Sequence, residues 1–495
     1  MEDKHKVELP SANTTETEEK AEKGWICPEF KVSGIFASHM VLQREKPIKI
    51  WGFSTHVGTK VAGCFMGETV TATVGEDNRF ELCFSARPEC ENPQIMIISD
   101  EFDHIVTFED VLIGDVWIIG GQSNAELHLA PCMSLTPSMD FYEGDNFRIF
   151  FQLGKQGMTL GKESNISQPD IIDPTWTWGR PNEENSLNCS AIGWYFAKHL
   201  IKHIGTPIGI VMMAAGGVCL RELMPVDLAN SLGYTKGANT RVGGAYDTLI
   251  NPIVPLAFKA QIFFQGESEG CWFSCANKYD TDLAAFFEDE RKRFGQHFPI
   301  YNVQLCDYGD NCFKHFPALD IVRIKQFDAL SLIPDMTLTV DMDLPSPDGC
   351  DWAHSPRKLE LAERLAKLAL AKEYGVGSVM NALSPRPTFA SLSADKKEIL
   401  INFTDVGTGL IVTGHDPKSS IDLPVGGFSV GSYDGPHDNR KPAEARIISR
   451  SQVIVTVPED ADTSCVNYCF SIRVEPELYN GNNLPCPSFS IKVSQ

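Results

Sequence analysis

Residues Asp115–Glu126 read Asp-Val-Trp-Ile-Ile-Gly-Gly-Gln-Ser-Asn-Ala-Glu, an apolar run that ends on paired glycines with Ser123 just beyond. Glycine lets a buried strand turn sharply, and a serine placed there has its hydroxyl lifted above the carboxyl edge of a sheet. The same string also describes a glycine-rich turn whose serine caps the next helix, so Ser123 alone admits both readings. A serine nucleophile needs a base within hydrogen-bond reach, and the base needs a partner that fixes its tautomer. Asp351–Lys358 (Asp-Trp-Ala-His-Ser-Pro-Arg-Lys) supplies such a pair. Of the 12 histidines, only His354 has both an acid at this spacing and a helix start behind it. Asp351 folding back onto Nδ1 would leave Nε2 for Ser123, with Asp343 and Asp348 as nearby competitors for that role. A third segment, Ala260–Gly270 (Ala-Gln-Ile-Phe-Phe-Gln-Gly-Glu-Ser-Glu-Gly), again runs from apolar residues into polar ones and glycine.

These residues must be held by elements that the pattern also outlines. Val116–Ile119 and Ile262–Phe264 are short, wholly apolar runs, as in strands buried on both faces of an α/β sheet. Ile208–Leu220, the most apolar segment, carries Gly216 and Gly217 and reads as a buried strand with a loop. Helical periodicity marks Ser190–Ile204, Ala276–Arg293 and Leu319–Leu332. The clearest helix is Ser355–Tyr374, with Ser355 as N-cap, Pro356 at the first helical position and Gly375 as the stop. Before this region lie short alternating runs: Lys49–Phe53, Lys60–Met66, Glu68–Val74, Arg79–Phe84 and Gln94–Ser99. After it come Glu398–Phe403, Gly409–Thr413, Phe428–Ser432, Ala445–Ser449, Val453–Val457 and Cys469–Val474. Short strands at such spacing predict small β domains. The expected division is a polar tail at 1–26, a β domain at 27–110, an α/β domain at 111–376 and a second β domain at 377–495, with Pro131–Glu184 a long loop bordering the cleft.

Composition narrows the classes. With 495 residues, 43% apolar and 22% charged, the chain is an ordinary globular one of several domains. A formal charge of −22 argues against nucleic acid or an anionic membrane as partner, and no apolar stretch is long enough to span a membrane. The 15 cysteines, with close pairs Cys83/Cys90, Cys271/Cys275, Cys306/Cys312 and Cys465/Cys469, suggest disulfides and an oxidising compartment. No pair is joined by histidines in a zinc pattern, so no metal is expected from them. Asn13, Asn165, Asn188 and Asn402 head glycosylation triplets, whereas Met1–Gly24 has no signal-peptide run. Composition leaves the compartment open between an oxidising, secretory one and the cytoplasm.

Gly121–Asn124, Phe263–Ser268 and His354–Pro356 together resemble the short strings of the SGNH (GDSL-like) hydrolases and, within them, the sialate O-acetylesterase family. Phe36–Phe53 (FASHMVLQREKPIKIWGF) is similar to that family's amino-terminal signature and Pro207–Pro225 to its Gly-Gly block, so the likeness runs from about residue 30 onward. The resemblance implies an SGNH-like three-layer α/β/α domain flanked by β-sandwich domains, lysosomal or secreted relatives, and a serine esterase that removes O-acetyl groups from sialic acids without a cofactor. Ser123 would attack the ester, His354 would move the proton and Asp351 would orient it. The oxyanion would meet the backbone N–H groups of Ser123 and Gly216. By resemblance the third donor is the side-chain amide of Gln265. Gln122, Asn124, Gly217 and Glu267 would brace these loops. Arg221 and Arg323 are candidates to face the sialate carboxylate, which arginine's fork matches.

The chain also departs from the family pattern, with Ala125, Val218, Leu223, Asp247, Thr248 and Glu269 at cleft or supporting positions. That keeps two alternatives in view: an acetylxylan-type esterase with the same machinery, and a catalytically silent sugar-binding protein. An α/β-hydrolase would use Gly-x-Ser-x-Gly, and position 125 is alanine.

Overall fold

The computed structural model describes residues 25–495 except 133–145, 152–168, 172–174, 183–185, 236–241, 310–311, 349–350, 352 and 434–437. Strands β1 (Phe30–Val32), β2 (Val41–Gln43), β3 (Ile48–Ser54), β4 (Lys60–Phe65), β5 (Glu68–Thr73), β6 (Arg79–Phe84), β7 (Cys90–Asp100) and β8 (Ile105–Gly121) form the amino-terminal part. Burial alternates along β4 and β6, as expected of sheets with one face on a core. The sheet β1-β3-β6 packs on the sheet containing β4, with the Phe65 and Phe84 rings meeting edge to face at 6.0 Å.

β8 belongs to two sheets. Its first half pairs with β7 antiparallel and with β2 in parallel, and from Val111 onward every residue is buried. Its second half is a central strand of a parallel sheet built with β9 (Phe147–Phe151), β10 (Thr177–Gly179), β11 (Ile208–Ala214), β12 (Ala260–Phe264), β13 (Ile300–Gln304) and β14 (Met336–Val340), in the order β10-β9-β11-β8-β12-β13-β14. Only the edge strand β10 is antiparallel. The chain builds one side of β8 first and then crosses to the other, which makes the carboxyl end of β8 the switch point where α/β sheets open a crevice.

Helices cover both faces: α1 (Ser123–Glu126), α2 (Ala191–Ile201), α3 (Leu220–Leu223), α4 (Tyr279–Phe294), α5 (Leu319–Asp328) and α6 (Lys358–Glu373). Successive residues of a strand point to opposite faces. Trp117 on one face of β8 meets Phe196 of α2 at 4.7 Å, and α2 packs against α6. Phe263, level with Gly120 and therefore on the other face, meets Phe287 of α4 at 5.1 Å, and α4 packs against α5. The result is the three-layer α/β/α domain. A further ten described strands between Arg386 and Ser494, eight of them in one sheet, form a carboxy-terminal β domain with its own core around Phe428, Tyr468 and Phe489.

Several local expectations differ. The helix expected from Ser355 starts at Lys358, because the Ser355 hydroxyl accepts the Arg357 N–H (3.3 Å) in a turn ahead of it. Gly375, at φ 67°, stops it as expected. The Cys469–Val474 strand is instead Cys465–Tyr468, since Cys469 adopts a left-handed φ of 48°. Most of the Pro131–Glu184 loop lies outside the described residues, as do the tail up to residue 24, Asn13 and Asn165, while the described part of the loop supplies β9 and β10. Among the described residues the expected disulfides are not formed: Cys83, Cys90, Cys271, Cys275, Cys306, Cys465 and Cys469 are free thiols, and the side chain of Cys312 lies outside the description. Cys83 and Cys90 lie in opposite sheets of the sandwich. Cys465 and Cys469 are separated by a strand of about 13 Å, beyond the ~7 Å Cα reach of a disulfide. No described helix is long and apolar enough to cross a membrane.

Candidate active site

The carboxyl ends of β11, β8 and β12 lie level, with Ala214, Gly121 and Phe264 side by side. Gly121 holds φ 130°, and a Cβ there would lie 2.0 Å from the Phe264 carbonyl oxygen, so only glycine lets the strands close up and the chain turn. Ser123 follows as the first residue of α1, half-buried. Its N–H stands at a helix start, where no intrahelical acceptor exists, and no described residue accepts it. Gly216, just past β11, is packed against it: a Cβ on Gly216 would lie 3.7 Å from Ser123 Cβ and 3.2 Å from Glu126 Oε2. The Gly216 N–H is likewise unclaimed by any described residue. Gly217, at φ 72°, completes the turn toward α3.

The third loop precedes α6. His354 Nδ1 lies 2.6 Å from Asp351 Oδ2, while Asp351 Oδ1 accepts the Ala353 N–H at 2.9 Å. Burial alone would raise the Asp351 carboxyl, but the bonds from His354 and Ala353 and the imidazole charge hold it below the ordinary carboxylate range. Nδ1 is thus engaged and Nε2 is left for a second partner. Ser123 and His354 do not hydrogen-bond each other directly. Asn124, the residue after Ser123, joins their loops by donating to the Ala353 carbonyl at 3.1 Å.

Asn124 is the hub of a buried network. Its amide also donates to Glu267 Oε1 (2.6 Å) and its Oδ1 accepts from Lys358 Nζ (2.9 Å), while the Tyr308 hydroxyl donates to the same Glu267 oxygen (2.7 Å). Lys358 is fully buried and lies over the Phe264 ring, with Asp341 as a nearby counter-charge. Burial pushes the Asp341 carboxyl up to about 7, opposed by Lys358 and Arg364. Gln122 Oε1 accepts from the Gly266 and Ser268 N–H groups, both at 3.3 Å, and so fastens the β12 loop to the β8 loop.

Gln265 is fully buried, and its amide hydrogens already have acceptors in Glu269, Val218 O (3.3 Å) and Gln122 Oε1 (3.2 Å). It can donate to a substrate oxyanion only by releasing one of them. Burial pushes Glu269 up to about 7, against the bonds it accepts from Leu220 N–H and Gln265. Arg221 is half-buried at an exposed aromatic edge, 5.2 Å over the Trp272 ring, with Nη1 donating to Cys275 Sγ at 3.8 Å. Arg323 corrects the expectation placed on it. It is fully buried, and its guanidinium donates to the carbonyls of Leu305, Cys306, Ser471 and Ile472, which makes it a pin between the α/β domain and the carboxy-terminal β domain.

Lys358, Tyr308 and Asp341 escaped the sequence reading. Lys358 had a usable signal: it is in helical register with Leu361, Ala362 and Leu365, all buried, so the apolar stripe of α6 passes through a lysine.

Residues 176–371 match the model of the family described as carbohydrate esterase, sialic acid-specific acetylesterase. The chain is 23% identical over 425 residues to sialate O-acetylesterase of Homo sapiens, covering 76% of each, and 22% identical over 537 residues to that of Mus musculus, covering 94% of this chain and 95% of the other. Among solved structures, a carbohydrate acetylesterase from Xanthomonas citri superposes with a TM-score of 0.77 at 25% identity, covering 94% of this chain and 99% of that one. The family match takes in β11, β12 and the His354 loop, and the structural match spans nearly the whole chain. Residues 176–371 thus carry a sialic acid-specific acetylesterase domain of the carbohydrate esterases, and most of the chain is similar to sialate O-acetylesterases.

Proposed function

We propose that this protein hydrolyses O-acetyl esters of sialic acid by acyl transfer through Ser123. The observation that carries this reading is the meeting of three loops at the switch point: Ser123 after β8, Gly216 after β11, and a His354–Asp351 pair tied to Ser123's neighbour by the Asn124–Ala353 bond. Ser123 Oγ attacks the acetyl carbonyl carbon while His354 Nε2 takes the hydroxyl proton. The oxyanion forms against the Ser123 and Gly216 N–H groups, each such donor contributing roughly 10²–10³ in rate. Collapse breaks the bond to the sugar oxygen, which receives the proton from His354 and leaves, with the acetyl group now on Ser123. Water, deprotonated by His354, attacks the acyl-enzyme, and acetate departs as Ser123 regains its proton. Asp351 keeps Nδ1 protonated and stabilises the imidazolium. Gln122, Asn124, Gly217, Glu267 and Gln265 hold the loops in register, and Arg221, half-buried on α3 beyond the Gly216–Gly217 turn, is the candidate to meet an anionic sugar. All of these groups belong to the protein, so the scheme draws on no cofactor.

The test is acetate release from O-acetylated sialic acid, with acetylated xylan in parallel, by wild type and Ser123→Ala. Preference for the sialic ester, loss of turnover in the variant and fluorophosphonate labelling only of wild type are expected. Preference for xylan would reassign the substrate. No acetate release and no labelling in wild type would leave a sugar-binding protein.

A further inference from the structure

Three turns of the amino-terminal β domain bring together Glu29, just before β1, His56, in the turn after β3, and Asp100 and His104, in the hairpin between β7 and β8. One ring nitrogen of each histidine and one carboxylate oxygen of Asp100 lie within 4.8 Å of one another. Glu29 Oε1 is 3.8 Å from His56 Nε2 and 4.0 Å from His104 Nε2.

The arrangement is built rather than loose. The Asp100 side chain is 1% exposed; its Oδ1 accepts the Phe102 and His104 N–H groups (2.9 and 3.0 Å) and its Oδ2 pairs with His104 Nδ1 at 2.9 Å. The His104 ring stacks on Phe30 at 5.4 Å and the His56 ring lies on Phe102 at 4.1 Å, so neighbouring rings limit how either imidazole can turn. His56 Nδ1 is buried and has no hydrogen-bond partner. Both histidine side chains keep some exposure, 28% and 34%, which leaves an ion a way in.

We propose that this cluster binds a divalent transition metal ion of the zinc class. Two imidazoles with carboxylate oxygens are a donor set that zinc accepts tetrahedrally. Asp100, bonded to His104 Nδ1, is the usual carboxylate support of a histidine ligand: it fixes the tautomer and leaves Nε2 for the ion. Ligand atoms around a zinc ion with bonds of about 2.0 Å lie roughly 3.3 Å apart, so the cluster contracts slightly on binding. Glu29 is 69% exposed and free to close the gap. The ion would clip the start of β1 to two turns distant in sequence. It would act on stability, since none of the four residues belongs to the esterase machinery.

The full chain, stripped with a chelator, is titrated with Zn(II) by calorimetry and with Co(II) as an optical reporter. Wild type is compared with His56→Gln/His104→Gln, with Glu29→Gln, and with His199→Gln/His203→Gln at the end of α2 and the turn after it, where a second histidine pair lies with ring centroids 5.6 Å apart. Wild type and the α2 variant are expected to take up one equivalent, to show cobalt spectra without a thiolate charge-transfer band, and to gain thermal stability with zinc. The His56/His104 variant should bind at least about tenfold more weakly, in the range seen when metal ligands or their supports are lost. Glu29→Gln, at an exposed position that leaves the fold intact, should weaken binding severalfold, so the test survives even if the double variant folds poorly. No uptake by wild type, a thiolate spectrum, or unchanged affinity in the Glu29 and His56/His104 variants overturns the proposal.

Discussion

His354 and Asp351 face each other at 2.6 Å across one turn of chain, and Asn124 ties that turn to the residue after Ser123. The Asp351 side chain is 57% exposed, so its value is orientation rather than burial energy. Asp351→Asn is therefore expected to lower kcat by roughly 10²–10⁴, with KM and Tm nearly unchanged. Because the Asp351 carboxyl is held below its ordinary range, the pair persists down through mildly acidic pH and is lost only as pH falls through that lowered value. Steady-state kinetics and a melting curve on the same preparation check both parts.

Lys358 is a charge with no access to water, bonded to Asn124 Oδ1 and set near Asp341. Lys358→Met should cost about 2–4 kcal/mol of stability, since it leaves Asn124 Oδ1 without its donor and Asp341 without its nearby cation. Asn124→Ala should unfasten the His354 loop from α1, lowering kcat more than it raises KM. Denaturant titration and kinetics on the two variants separate these effects.

Glu290, on the face of α4 turned to the sheet, is buried with both carboxylate oxygens unpartnered, and burial pushes it up to about 8. A raised carboxyl favours the fold while protonated, fully so below its unfolded value near 4.5, and loses that contribution as pH climbs through about 8. Glu290→Gln should therefore match wild type near pH 4.5 and gain in relative Tm from there to pH 9. Scanning calorimetry across that range tests the sign.

The two arginines should part company. Arg323→Met removes donors from the buried carbonyls of Leu305 and Cys306 and from the part-buried ones of Ser471 and Ile472, and is expected to cost about 2–4 kcal/mol without raising KM once the protein is folded. Arg221→Ala should raise KM for an acetylated sialic acid while leaving KM for a neutral acetyl ester unchanged. Parallel Michaelis curves on the two esters decide it.

The parts of this site legible in the sequence were those whose function is written into backbone geometry. Glycines before Ser123, the apolar run of β12 and the Asp351–His354 spacing each fix a local turn, β4 and β6 keep the expected alternation, and β3 and α2 form close to where their apolar residues place them. What the sequence hid depends on who lies across the gap. An arginine reads the same whether it faces substrate or four carbonyls, so Arg323 was misplaced. A lysine in the first turn of a helix reads as solvated, so Lys358 was missed. Cysteines close in sequence read as pairs, although a strand or a sandwich can hold them apart. Gln265 shows the same limit, since its neighbour Glu269 takes up the amide that the motif alone would aim at substrate.

The 17-residue strand β8 hydrogen-bonds the amino-terminal sandwich with one half and flanks β11 and β12 with the other. Cutting the chain within it is expected to leave neither piece folded, because trimming away the sandwich strips partners from the very strand whose tip leads to Ser123. The sandwich and the parallel sheet are therefore expected to melt as one unit, with the loss of ester cleavage at the same temperature.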